Sequence, residues 1–96
     1  MEIKWLKKAL LNLEAEAEFI AQENPQAAKT TVETIFHSVT LLANNPAQGR
    51  PGRIAGIREL VVPGTRYIIP YRVNIRKNRI EVLRVFHTSR KPPTHW

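Results

Sequence analysis

The chain has 96 residues, no cysteine and a formal net charge of +7 at pH 7. This length suits one domain over residues 1–96, and the lack of cysteine excludes disulfides and thiolate metal sites. Residues 1–48 hold four Lys or Arg and six Glu, whereas residues 49–96 hold eleven Lys or Arg and only two Glu. The basic second half is therefore suited to binding a nucleic acid, an acidic protein groove or an acidic peptide.

The first residues, MEIKWLKKALL, predict a short strand followed by the start of a helix. Ile3 and Trp5 favour a strand over residues 1–5. Lysines interrupt the apolar residues before they reach the length of a signal peptide or a membrane span. The expected location is therefore the cytoplasm, with no membrane partner.

Residues 6–23 are predicted to form an amphipathic helix. Its apolar residues recur at steps of three and four and therefore share one face. They are Leu6, Leu10, Leu13, Ala17 and Ile20. The carboxylates of Glu14, Glu16 and Glu18 are expected to lie mostly away from that face.

A second helix is predicted to start at Asn24 and Pro25, because asparagine caps a helix and proline suits its first turn. Its apolar stripe has the same period and comprises Val32, Ile35, Phe36, Val39 and Leu42. The residues Asn44-Asn45-Pro46 end the helix. Because the connection between the two helices is short, they are expected to form an antiparallel helical hairpin.

The next ten residues, AQGRPGRIAG, hold three of the four glycines and predict an exposed loop that carries Arg50 and Arg53. Three strands are predicted after this loop, over residues 57–62, 67–73 and 79–87. The element order is thus βααβββ. It predicts an α+β fold, an antiparallel sheet with the helical hairpin packed on one face.

The middle strand contains Pro70, which lacks the backbone donor that a central strand needs, so a bulge or an open edge is expected there. Alternation along a strand separates the side chains into two faces. The helix-covered face is predicted to hold Tyr67, Ile69, Tyr71 and Val73, and the opposite face Arg66, Ile68, Pro70 and Arg72. In the last strand both faces are apolar, which predicts cover on both sides for part of its length. One face holds Ile80, Val82 and Phe86, and the other holds Leu83 and Val85.

Several segments, taken in this order, resemble the RelE/ParE superfamily of type II toxins. They are the hairpin ENPQAAKTTVETI, the loop GRPGRIAGIRELVV, the strand YIIPYRV and the close IEVLRVFHTSR. The resemblance covers nearly the whole chain. It implies a small toxin that a cognate antitoxin neutralises by folding onto it. RelE-like members resemble ribonucleases that cut mRNA on the ribosome, whereas ParE-like members bind DNA gyrase and trap its cleaved-DNA complex.

One position favours the ParE-like activity. RelE-like nucleases typically carry a basic residue just after the tyrosine that opens the strand corresponding to YIIPYRV, and here that residue is Ile68. Isoleucine cannot stabilise the charge that grows on a phosphate during cleavage. The first hypothesis is therefore a non-enzymatic toxin that inhibits gyrase, with no cofactor. No metal is expected either, because the three histidines lack ligand spacing.

The alternative hypothesis is a RelE-like, ribosome-dependent mRNA endonuclease. His87 roughly matches the place where some superfamily nucleases carry a functional histidine, and imidazole transfers protons well. The candidate catalytic set is His87, Arg84, Arg66 and Glu59. The simpler interpretations are a strand-end histidine bonded to the backbone and a cross-strand ion pair of Glu59. A third hypothesis is a basic module that binds nucleic acid without toxic action.

The arginines are better suited to binding a macromolecular partner than to cleaving a nucleic acid. Guanidinium groups on a rigid sheet pair bidentately with carboxylates or phosphates. The predicted target-binding residues are Arg50, Arg53, Arg58, Arg66, Arg72, Arg84 and Arg90. Apolar residues left over from the core need cover and are expected to bind the antitoxin. They are Leu11, Phe19 and Leu41.

Overall fold

A computed structural model describes all 96 residues. The strands are β1 (Glu2–Trp5), β2 (Arg50–Pro51), β3 (Arg58–Val61), β4 (Tyr67–Asn74), β5 (Arg79–Val82) and β6 (Phe86–His87). The helices are α1 (Lys7–Ala21) and α2 (Pro25–Thr40), and a 3₁₀ turn, Leu41–Ala43, follows α2. The predicted order βααβββ is confirmed, with one short extra strand in the loop and a break in the last strand. Neither helix is long and apolar enough to span a membrane.

The sheet has the order β1-β5-β4-β3-β2, and β6 pairs with the other end of β4. Its pairs are antiparallel except for β1 and β5, which run parallel with Ile3 opposite Ile80. The predicted α+β fold with a helical hairpin on one face of the sheet is confirmed, and the sheet departs from the predicted antiparallel arrangement in this one pair, which makes it mixed. Parallel neighbours need a long crossover connection, and the helical hairpin lies within the one that joins β1 to β5.

The second helix begins as its sequence predicts. Asn24 precedes it in an extended conformation, and its side-chain oxygen accepts a hydrogen bond from the backbone N–H of Ala27 at 3.0 Å. Pro25 occupies the first turn, where its missing N–H leaves no bond unmade. These two residues fix the corner at which the helical hairpin turns.

The core lies between the helical hairpin and one face of the sheet. Its sheet side includes Leu60, Val62, Tyr67, Ile69, Tyr71, Ile80 and Val82, all buried. The predicted inward face of the middle strand is thus confirmed. On α1 the buried residues are Ala9, Leu13 and Glu16, while Leu10 is 46% exposed. The prediction that Leu10 packs inward is wrong, because the sheet-facing stripe starts at Ala9 and continues to Glu16, whose carboxylate accepts a hydrogen bond from the buried Tyr67.

Pro70 lies opposite a bulge, as predicted. Tyr71 pairs with Val82 and Ile68 pairs with Phe86, so residues 83–85 oppose only residues 69–70. The carbonyl of Pro70 accepts a hydrogen bond from the N–H of Leu83 at 2.9 Å, so the side of Pro70 that lacks a donor faces this bulge. The extra residue also reverses the predicted alternation of the last strand.

After the bulge, Val85 joins the helix-side core with Val82, and Phe86 lies on the opposite face beside Ile68. The prediction that Val85 and Leu83 share a face is therefore wrong. Cover on both faces is confirmed, since Leu83 and Val85 are both buried. The chain end helps to cover the face away from the helices, because the Trp96 ring packs edge-on against Phe86 at 5.2 Å.

Candidate functional site

Two buried carboxylates on the sheet face away from the helices each bind two arginines. Glu59 is 2% exposed, and its oxygens lie 3.5 Å from Arg50 and 3.3 Å from Arg53. Arg50 is its cross-strand partner in the pairing of β2 with β3. The interpretation of Glu59 as half of a cross-strand ion pair therefore matches its surroundings, and the side chains of both arginines remain about half exposed.

Glu81 forms the second cluster, with Arg72 across the β4–β5 pair and Arg79 on its own strand. Arg79 Nη2 lies 2.6 Å from Glu81 Oε2. Hydrogen bonds from Arg72 and then from Arg79 lower the pKa of Glu81 from its ordinary 4.5 to about 2, because they stabilise the charged carboxylate. The two carboxylates thus hold four guanidinium groups on one face of the sheet.

Protonation of Glu81 at low pH should lower the free energy of unfolding, because it weakens the hydrogen bonds from Arg72 and Arg79. Because the folded-state pKa of Glu81 is depressed, its stabilisation is complete above about pH 4.5 and is lost as the pH falls towards about 2. The Glu81→Gln variant should therefore lose less of its free energy of unfolding than wild type over this interval, as measured by urea denaturation at several pH values. Glu14→Gln, which changes an exposed carboxylate, is the control and should follow wild type. An equal loss in Glu81→Gln and Glu14→Gln would contradict the assignment.

A second site is a cleft of about 610 Å³ between the helical hairpin and the end of the sheet. The buried Glu16 lines this cleft. Its carboxylate accepts a hydrogen bond from the Tyr67 hydroxyl at 2.9 Å and forms an ion pair with Arg90 at 2.8 Å. Burial, together with the bond to Glu16 and its charge, raises the pKa of Tyr67 to about 12. Arg66 and His87 line the same cleft, and Arg66 forms no ion pair.

The hydrogen bonds of His87 assign its tautomer. The backbone N–H of Ser89 donates to His87 Nδ1 at 3.1 Å, and Ser89 Oγ lies 2.6 Å from the same nitrogen. A backbone N–H can only donate, so in this contact Nδ1 is the acceptor, which corresponds to the neutral tautomer with its proton on Nε2. In this arrangement Nε2 of His87 is a hydrogen-bond donor and offers no lone pair to a substrate proton.

The helical hairpin carries the main exposed apolar surface. Leu11, Phe19 and Leu41 are 53%, 68% and 43% exposed. A groove of about 380 Å³ between the two helices is lined on its apolar side by small residues and one valine, namely Ala17, Ala21, Ala28 and Val32. This surface is distinct from the arginine clusters, which lie on the opposite face of the sheet. No group of three His, Asp or Glu side chains is arranged to hold a metal ion.

Comparison with known proteins identifies the family. Residues 3–92 match the model of the "ParE toxin of type II toxin-antitoxin system, parDE". The chain belongs to the ParE toxin family. A protein of Sinorhizobium fredii (strain NBRC 101917 / NGR234) with the name "Putative toxin Y4kP" is 41% identical over 91 residues, which are 95% of this chain and 92% of that protein.

Two solved structures share the ParE-type fold of this chain. The chromosomal ParDE TA system from P. aeruginosa contains a chain with a TM-score of 0.81 and 29% identity, covering 91% of this chain and 95% of that one. A chain of the toxin–antitoxin complex RelBE2 from Mycobacterium tuberculosis has a TM-score of 0.61 and 22% identity, and the match covers 90% of this chain and 88% of that one. The latter similarity concerns the fold alone. The predicted RelE/ParE resemblance is confirmed.

The four nuclease candidates of this ParE family member do not come together. Arg66 and His87 line the cleft, but Glu59 lies in its arginine cluster on the outer sheet face. Arg84 donates to the carbonyl of Leu83 at 2.7 Å and lines a small neighbouring cavity beside Trp96, which shares only Arg90 with the cleft. Ile68 is 3% exposed and therefore presents no group to a ligand.

The target-binding arginines are also distributed over several places. Arg58 donates to the carbonyl of Gly49 at 2.7 Å, so one of its roles is to hold the loop before β2. The carboxylate of Glu16 was not predicted to belong to any site. The prediction that Glu16 lies away from the buried face of α1 is wrong, because Glu16 follows the buried Ala9 and Leu13 at steps of four and three and is buried with them.

Proposed function

We propose that this ParE family toxin acts in the cytoplasm by binding DNA gyrase and stabilising its cleaved-DNA state. The observation that carries the proposal is the burial of Ile68, which fills the position where RelE-like nucleases place a cation. With a hydrocarbon there, no charged group is available to stabilise a phosphate transition state at that point. The exposed guanidinium groups around Glu59 and Glu81 remain suited to holding a macromolecule.

The tautomer of His87 supports the same proposal. A general base needs a free lone pair, and the bond from Ser89 occupies the lone pair of Nδ1 while the proton occupies Nε2. Acting as a general acid would require protonation of Nδ1 and loss of that bond. His87 is thus better suited to donating one hydrogen bond than to transferring a proton.

A cognate antitoxin is the proposed neutralising partner. The two similar structures are a ParDE TA system and a toxin–antitoxin complex, which supports such a partner. We propose that the antitoxin covers the helical hairpin and the 3₁₀ turn after it, where Leu11, Phe19 and Leu41 leave apolar side chains exposed to water. Burying them would provide the hydrophobic part of the binding free energy.

The proposal is tested by DNA supercoiling with purified gyrase, with and without the purified toxin. Supercoiling should fall as the toxin concentration rises, and addition of the antitoxin should restore it. Unchanged supercoiling at a large molar excess of toxin, together with codon-phased cuts in translated mRNA, would overturn the proposal. The same preparation serves both assays, so an inactive protein would be recognised.

The His87→Ala variant should keep gyrase inhibition within about twofold of wild type, because His87 transfers no proton in the proposed mechanism. The measurement is the toxin concentration that halves supercoiling. Ser89→Ala serves as the matched control, since it removes only the hydroxyl that neighbours the same histidine. A loss of all growth inhibition in His87→Ala, with folding unchanged, would argue for catalysis.

The second candidate function is a RelE-like mRNA endonuclease, and the cleft is the observation that favours it. Arg66, Arg90 and His87 surround a concave space large enough for a nucleotide, and concave sites of this kind bind small ligands. In that mechanism Arg66→Ala should abolish codon-phased mRNA cuts on translating ribosomes. Arg84→Ala provides the control outside the cleft.

A further inference from the structure

The hairpin that joins β4 to β5 ends in an unusual tip. Ile75 is 74% exposed, the largest value among the exposed large hydrophobic residues. Arg76 and Lys77 follow it directly, are both exposed and take part in none of the ion pairs. A bare apolar side chain beside two unpaired cations has no role in the core or in the arginine clusters.

The tip is held in one conformation by its own hydrogen bonds. The side-chain oxygen of Asn74 accepts from the N–H of Lys77 at 3.1 Å, and the carbonyl of Ile75 accepts from the N–H of Asn78 at 3.1 Å. Asn78 adopts φ 50°, the left-handed conformation that asparagine tolerates best after glycine. Because these bonds order the backbone of the turn, a partner has to immobilise only the side chains of Ile75, Arg76 and Lys77 when it binds.

The stem of the same hairpin is also cationic. Arg72 and Arg79 are fixed around Glu81, so residues 72–81 carry four cations and one carboxylate. A two-stranded ribbon is narrow enough to enter the major groove of B-form DNA, where apolar side chains can contact the base edges and the thymine methyl group. Cations along such a ribbon pair with phosphates on either side of a groove.

We propose that this hairpin contacts duplex DNA, with Arg76 and Lys77 on phosphates and Ile75 against the bases. The inference rests on the proposed gyrase function, because the DNA would be the segment that gyrase holds. It adds that the toxin reaches the nucleic acid itself and not the enzyme alone. An acidic protein surface is the competing partner, and the experiment separates the two.

The first measurement is binding to a fluorescent DNA duplex over a series of salt concentrations. The double variant Arg76→Ala/Lys77→Ala should bind about tenfold or more weakly than wild type, and the slope of log affinity against log salt should shrink by about 2, near 0.9 for each phosphate that the variant no longer neutralises. Ile75→Ser should weaken binding severalfold and leave the slope unchanged. The matched control Lys7→Ala/Lys8→Ala removes two exposed cations from α1 and should change neither.

The second measurement is gyrase inhibition by the same variants. The hairpin variants should inhibit supercoiling less than the Lys7→Ala/Lys8→Ala control, while binding DNA-free gyrase as wild type does. Equal DNA affinity and salt slope in the hairpin and control variants would overturn the inference even if wild type inhibits gyrase. Weakened binding to DNA-free gyrase with DNA binding retained would also overturn it, in favour of a protein partner. If the wild-type toxin does not inhibit supercoiling, the proposed gyrase function is wrong. The DNA-binding measurement still tests whether the β4–β5 hairpin contacts DNA.

Discussion

The Phe19→Asp variant is expected to bind the cognate antitoxin about 30-fold or more weakly than wild type, which corresponds to a hot-spot loss of about 2 kcal/mol. Phe19 is 68% exposed on α1, and an aromatic side chain of that exposure is a candidate anchor for a partner. Aspartate would place a charge in the apolar interface, where its desolvation is unfavourable. Leu11→Asp and Leu41→Asp should act in the same direction. Titration calorimetry with the antitoxin measures each affinity.

Ile75→Asp is the control for this experiment, because Ile75 is also apolar and exposed but lies at the β4–β5 tip. Its antitoxin affinity should stay close to that of wild type. Wild-type antitoxin affinity in all three variants, Phe19→Asp, Leu11→Asp and Leu41→Asp, would show that the antitoxin binds elsewhere on the toxin. Circular dichroism of each variant checks that the helices remain intact.

The Tyr71→Phe variant is expected to lose about 1–3 kcal/mol of unfolding free energy and to loosen the loop before β2. Tyr71 is fully buried, and its hydroxyl donates to the carbonyl of Pro46 at 2.7 Å and accepts from the N–H of Gly49 at 2.9 Å. Removing this oxygen leaves both backbone groups without that partner. Urea denaturation gives the free energy, and hydrogen exchange at the Gly49 amide reports the loop.

Tyr67→Phe is the matched control, because it removes the other buried tyrosine hydroxyl of β4 and leaves the loop bonds in place. Its Gly49 amide should exchange at the wild-type rate. Equal protection of that amide in wild type and Tyr71→Phe would refute the anchoring role of the hydroxyl. The loop carries Arg50 and Arg53, so its fixed position also bears on how those guanidinium groups are presented.

The parts of the fold that depend on local sequence were predictable. Asn24 and Pro25 indicate the start of α2, because asparagine caps a helix and proline suits its first turn. The spacing of the apolar residues of α2 places Ile35 and Val39 in the core. The alternation of Tyr67 through Tyr71 likewise assigns the faces of β4. In each of these cases the deciding interaction is within a few residues or within one element.

The missed features depend on residues far apart in the chain. The parallel pairing of β1 with β5 joins Ile3 to Ile80, and no local pattern encodes that register. The bulge opposite Pro70 was expected, but its position at residues 83–85, which turns Val85 inward, depends on where β6 resumes pairing. Pairing between distant segments is decided by the whole sheet and not by one strand's alternation.

The candidate site was predictable in composition and less so in arrangement. The sequence identified a basic half and the exposed Leu11 and Phe19, and both are present on the surface. It did not reveal that Glu16 would be buried, because the partners that make its burial favourable, Tyr67 and Arg90, are more than fifty residues away. Charged residues reach the interior when such partners satisfy them, which a single helix cannot show.

The most direct test of the central claim counts covalent gyrase–DNA complexes after detergent treatment, in reactions with wild-type toxin, His87→Ala toxin or no toxin. Both toxins should raise the number of complexes to a similar extent, and translated mRNA in a parallel reaction should stay intact. No rise with either toxin, together with mRNA cuts that disappear in His87→Ala, would contradict the central claim.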